Sequence, residues 1–84
     1  MTRYTVVLTR EAQDQLAILW LNSLDPARMT RAADEIDRLL AIDPLLQGFE
    51  VREGLRGLIV PPLRVIFAVK ESDRIVEVGR VRLD

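Results

Sequence analysis

The sequence predicts an α+β fold of order β-α-α-β-β-β, a helical hairpin packed on one face of a mostly antiparallel four-stranded sheet. Three observations carry this expectation. Residues 4–8 alternate and are rich in β-branched side chains, two apolar stripes at helical spacing follow, and from Leu55 onward the period changes to two.

The first strand covers residues 4–8 and runs into Thr9, a residue suited to capping a helix whose first turn carries Glu11 against the helix dipole. Ala12, Leu16, Leu19 and Trp20 recur at spacings of three and four and give that helix one apolar face, expected to continue to Leu24. Asp25-Pro26 restarts the chain, because Asp caps and Pro occupies the first helical position, where an N–H has no partner to lose. Met29, Ala32 or Ala33, Ile36, Leu39 and Leu40 form the second stripe, and Asp43-Pro44 ends it. So short a link between two helices implies an antiparallel hairpin. Residues 44–54, punctuated by Pro44, Gly48 and Gly54, read as a connecting loop that enters a strand near Val51. Residues 55–60, 63–70 and 75–83 are three strands, separated by Pro61-Pro62 and by Glu71-Ser72-Asp73-Arg74.

Eighty-four residues make one small domain, expected to span 1–84, with little chain to spare beyond a single core. Cysteine and histidine are absent. Disulfides, thiolate or imidazole metal sites and the commonest neutral-pH general base are therefore excluded, leaving carboxylate, Arg, Lys, Tyr and hydroxyl chemistry. No metal or cofactor is expected. No stretch approaches the roughly 18 apolar residues of a membrane span, so the expected location is the cytoplasm, with no membrane partner. The net charge of −1 gives no global field for nucleic acid, yet eleven of the twelve cations are Arg, the side chain suited to bidentate phosphate or carboxylate recognition. A GC-rich genome produces the same bias without function, and that reading stands ahead at this stage.

The segment Leu55-Arg56-Gly57-Leu58-Ile59-Val60-Pro61-Pro62-Leu63-Arg64-Val65-Ile66-Phe67 pairs an Arg-bearing strand with a tight Gly/Pro turn and a second Arg-bearing strand. An acidic turn follows at Glu71-Ser72-Asp73, then a closing strand, Ile75-Val76-Glu77-Val78-Gly79-Arg80-Val81-Arg82. With the first strand running into Thr9-Arg10-Glu11-Ala12, this ordered set resembles the RelE/ParE toxins of type II toxin–antitoxin modules over essentially the whole chain. The resemblance implies the same β-α-α-β-β-β fold, growth inhibition, a link to plasmid stabilization, and a cognate antitoxin as partner.

For the target, the resemblance implies one of two activities. RelE-type members cleave mRNA on the ribosome through attack of a ribose 2′-OH on the adjacent phosphodiester. ParE-type members inhibit DNA gyrase. Cleavage requires a base, positive charge on the developing phosphorane and an acid for the leaving oxygen. Arg64 matches the family's most persistent basic position, expected to hold a phosphate with help from Arg56; pairing with Glu50, Glu53 or Glu77 is the structural alternative. Arg80 and Arg82, two apart on the last strand, share a face and extend a cationic edge. Glu50 and Glu53 lie where YoeB-type members place a catalytic carboxylate, although solvated loop charge is the simpler reading. Tyr4 is expected to pack on the sheet, and Lys70 to be solvated at a hairpin end. The Lys pair of RelE, the His of YoeB-type members and the C-terminal Tyr have no counterpart.

That gap favours a ParE-like, non-catalytic inhibitor of a protein target such as DNA gyrase. A RelE-like, ribosome-dependent mRNA endoribonuclease with an Arg-rich phosphate site is the alternative, and a non-toxic binding member is a third. Ile18, Leu19, Trp20 and Leu21 are consecutive apolar residues that cannot all face one core. Leu19 and Trp20 are therefore candidates for antitoxin binding, with a core role for Trp20 the commoner outcome.

Overall fold

The computed structural model describes residues 3–84. Its elements in chain order are β1 (Thr5–Leu8), α1 (Arg10–Leu21), α2 (Pro26–Ile42), β2 (Phe49–Arg52), β3 (Leu55–Val60), β4 (Leu63–Lys70) and β5 (Ile75–Leu83). The strands form one mixed sheet in the order β1-β5-β4-β3-β2, with β1 parallel to β5 and every other neighbouring pair antiparallel. Both helices pack on one face of it. The α+β class and the helical hairpin match expectation, but the sheet has five strands where the sequence predicts four. The additional strand, β2, lies in the connecting segment expected to enter a strand near Val51, and it pairs as a full member of the sheet. Its entry depends on Gly48 at φ +69, where an added Cβ would sit 1.8 Å from the Gly57 carbonyl oxygen, so only glycine lets the chain turn in beside β3.

The capping residues act as their types dictate. Thr9 Oγ1 accepts the Ala12 N–H at 3.1 Å, and Asp25 Oδ1 accepts the Arg28 N–H at 3.2 Å, with Pro26 at the start of α2. Along α2, Met29, Ala32, Ile36 and Leu40 are buried at helical spacing. On α1 the apolar face ends earlier than expected. The helix stops at Leu21, and Leu24 in the connection is fully exposed.

The core lies between the helices and the central strands. Leu63, Val65 and Phe67 of β4, Val76, Val78 and Val81 of β5, and Leu58 of β3 meet the buried side of α2 and Ala12 of α1. The period of two fails once, at Gly79. Ile66 stands opposite Arg80 but Phe67 stands opposite Val78, so Gly79 is the extra residue of a β-bulge. The bulge shifts the alternation by one, keeping Val76, Val78 and Val81 all toward the helices and sending Arg80 and Arg82 to the opposite face. Past the end of β1, α1 takes over the edge of β5: Val81 N–H donates to Gln15 Oε1 at 2.7 Å, and Thr9 N–H donates to the Val78 carbonyl at 2.9 Å. No helix among the described residues is long and apolar enough to cross a membrane.

Candidate functional site

The second face of the sheet carries no helix, and the strand registers decide which side chains meet there. On β4, Arg64 and Ile66 alternate with the buried Leu63, Val65 and Phe67, so they point away from the helices. Arg64 lies directly opposite Arg82, and Ile66 directly opposite Arg80. Two like charges facing each other across a strand pair destabilise a sheet by a few tenths of a kcal/mol to about 1 kcal/mol. The Arg64 guanidinium is half neutralised by Asp84, whose Oδ1 accepts from Nη2 at 3.2 Å. That partner replaces Glu50, Glu53 and Glu77, the three acids the sequence offered. Glu77 instead pairs with Lys70 at 3.4 Å, which gives Lys70 a partner.

A further cation joins this face from β2. The β2–β3 register slips between Glu50 and Arg52, setting Arg52 opposite Leu55 and on the same side as Ile66 and Arg80. Arg52, Arg80, Val51, Leu55, Ile66 and Gly79 enclose a depression of about 290 Å³. Arg52, Arg64, Arg80 and Arg82 are all exposed. Among the described residues no carboxylate lies within ion-pair distance of Arg52, Arg80 or Arg82. Arg52 is not among the sequence candidates; the alternation Phe49-Glu50-Val51-Arg52, in a segment expected to enter a strand near Val51, is the signal that places it on a strand.

Two candidate residues are turned away from this face, and a third lies in a turn at its edge. Arg56 stands opposite Phe67, hence on the helix side, where its Nε and Nη2 donate to the Gln47 carbonyl at 3.2 and 2.9 Å. It anchors the entry to β2 and is turned away from Arg64. Glu50 stands opposite Arg56 and shares its orientation, so the sheet separates its carboxylate from the cations. Glu53 lies in the turn between β2 and β3 and is exposed. Glu35, whose carboxyl is held below its ordinary range chiefly by hydrogen bonds from Arg38, is on α2 and thus on the far side of the sheet. The open face can therefore bind an anion through several guanidiniums and stabilise developing negative charge. The sheet turns Glu50, one of the two expected general bases, away from that anion.

The two apolar partner candidates also separate. Trp20 is 44% exposed, donates from Nε1 to Thr30 Oγ1 at 3.2 Å, and lines a groove of about 580 Å³ between the helices with Leu8, Leu16, Ala17, Met29 and Ala33. Leu19 is half-buried and lines a different depression, on the other flank of α1, with Ile18, Val81, Arg82 and Leu83. Tyr4 is half-buried just before β1, with the Arg74 guanidinium 5.5 Å from its ring centroid, which fits a packing role.

No family model and no curated protein matches the sequence. Solved structures do resemble it. The toxin–antitoxin complex RelBE2 from Mycobacterium tuberculosis contains a chain of TM-score 0.83 and 22% identity, covering 100% of this chain and 94% of that one. The archaeal RelE–RelB complex from Pyrococcus horikoshii gives 0.69 and 20%, covering 99% and 96%. A chromosomal ParDE system from P. aeruginosa gives 0.67 and 18%, covering 96% of each chain. The chain adopts the fold shared by RelE-type and ParE-type structures.

Proposed function

We propose that this protein is the toxin of a type II toxin–antitoxin module and that the open, arginine-bearing face of its sheet is the surface that acts on the target. The observation that carries the reading is the opposition of Arg64 and Arg82, with Arg80 and Arg52 beside them. An unfavourable cation pair on a bare face makes sense where an anion is bound. Four guanidiniums suit the phosphates of RNA, in the manner of a RelE-like toxin directed at mRNA. Here the arginines would orient a phosphodiester and stabilise the phosphorane as the ribose 2′-oxygen attacks phosphorus, its proton passing to water, and the P–O5′ bond breaks with the 5′-oxygen taking a proton from water. A ParE-like inhibition of a protein target such as DNA gyrase is the second reading, favoured by the placement of Glu50 on the opposite side of the sheet from the cations.

Induced expression in a bacterial host, with growth recorded and mRNA 5′ ends mapped, separates the two. Growth arrest with new, codon-phased 5′ ends in translated messages is the expected result. Arrest with intact messages would transfer the proposal to a protein target, and no arrest would remove the toxin role.

The antitoxin is proposed to use the groove that contains Trp20. An exposed indole flanked by aliphatic side chains is the usual form of an interface anchor, whose loss costs about 2 kcal/mol or more. Trp20→Ala should therefore weaken binding of the neutralising antitoxin by roughly 30-fold in a calorimetric titration. Unchanged affinity in a folded variant would move the antitoxin elsewhere, with the Leu19 depression the next surface to mutate.

A further inference from the structure

The depression between Arg52 and Arg80 differs chemically from the rest of the arginine face. Its walls carry the two guanidiniums, but between them lie Val51, Leu55, Ile66 and the bare backbone of Gly79. Phosphates gain nothing from an apolar floor. A flat aromatic ring does, because it can stack on aliphatic surface and on guanidinium planes while its phosphates meet the remaining cations. The space, about 290 Å³, is just below the roughly 300–1,000 Å³ typical of small-molecule sites, suiting one ring rather than a larger ligand.

We infer that this depression seats a single unpaired nucleobase of an RNA strand whose phosphates lie along Arg64, Arg80 and Arg82. The inference rests on the RNA reading above. Gly79 lines the seat with bare backbone. It is the extra residue of the β5 bulge, its φ lies outside the left-handed region, and an added Cβ would find nothing within 4 Å. A side chain added there enters the space beside the seat without straining the backbone and without a close contact from its Cβ.

The test compares Gly79→Val with wild type for a fluorescein-labelled ten-nucleotide single-stranded RNA and for inorganic polyphosphate, by fluorescence anisotropy and its competition. Gly79→Ala serves as a smaller step should valine disturb folding, which circular dichroism would report. The expected result is RNA affinity roughly tenfold lower in Gly79→Val, the loss of one stacked base, with polyphosphate competition unchanged. Equal RNA affinity in both proteins would overturn the base seat while leaving phosphate binding intact, and equal weakening for both probes would overturn it as well. If wild type binds polyphosphate and RNA negligibly, the phosphate reading itself falls and takes the seat with it.

Discussion

Arg64→Ala should abolish growth arrest and message cleavage while leaving the fold intact. Arg64 stands mid-face between Arg82 and Ile59, and its guanidinium is solvent-accessible, held among the described residues only by the Asp84 carboxylate. An exposed pair of this kind contributes about 0–1 kcal/mol to stability, so the melting temperature should move by a few degrees at most. The effect on the reaction is of another size. Removing one donor that stabilises transition-state charge costs on the order of 10²–10³ in rate. Arg64→Lys should recover only part of this, since an ammonium keeps the charge but loses the bidentate fork that holds two phosphate oxygens. Arg38→Ala is the control, because that cation lies on α2 and pairs with Glu35. Cleavage mapped in cells, at matched protein levels, decides the matter. If Arg64→Ala arrests growth as wild type does, the open face is not the surface that acts.

Phe67→Ala should destabilise the protein more than any surface substitution. Phe67 is the largest fully buried side chain, 1% exposed, at the centre of β4 where the core of both helices converges. Truncating a buried Phe costs roughly 3–5 kcal/mol through lost burial and the cavity left behind. At about 0.05–0.15 kcal/mol per residue, a chain of 84 residues has about 4–13 kcal/mol in total, so this one change removes much of it. A drop in melting temperature of about 15–30 °C is expected, read by circular dichroism. A drop under 5 °C would mean that the core rearranges around the site. The contrast between the two variants is diagnostic. Arg64 and Phe67 are three residues apart on one strand, yet alternation sends one to solvent and the other to the core, so the first should change function without stability and the second should do the reverse.

Much of the architecture was legible because it is written in local chemistry. The cap at Thr9, the Asp25-Pro26 restart and the stripe Met29, Ala32, Ile36, Leu40 each follow from neighbours a few residues away. The pairing of Arg80 with Arg82 on one face also followed, since both lie past the bulge. What failed were inferences that crossed between strands. Arg56 and Arg64 look like companions in sequence, but antiparallel register sets Arg56 against Phe67 and turns it toward the helices. Glu50 goes with it. Arg52 reaches the cationic face because the β2 register slips by one residue at Val51, a shift that no local pattern announces.

The sequence alone determined the element types, the helical hairpin, the composition of the core and the chemistry open to the protein: with no His or Cys, cations and carboxylates had to serve. Periodicity and side-chain chemistry are properties of short segments, which is why they can be read from one chain. The face on which each cation stands was decided only by the tertiary structure. In a strand, a shift of a single residue reverses every side chain, and the shifts at Val51 and Gly79 are fixed by long-range pairing with β3 and β4, where the burial of Val78, Val81 and Phe67 is decided.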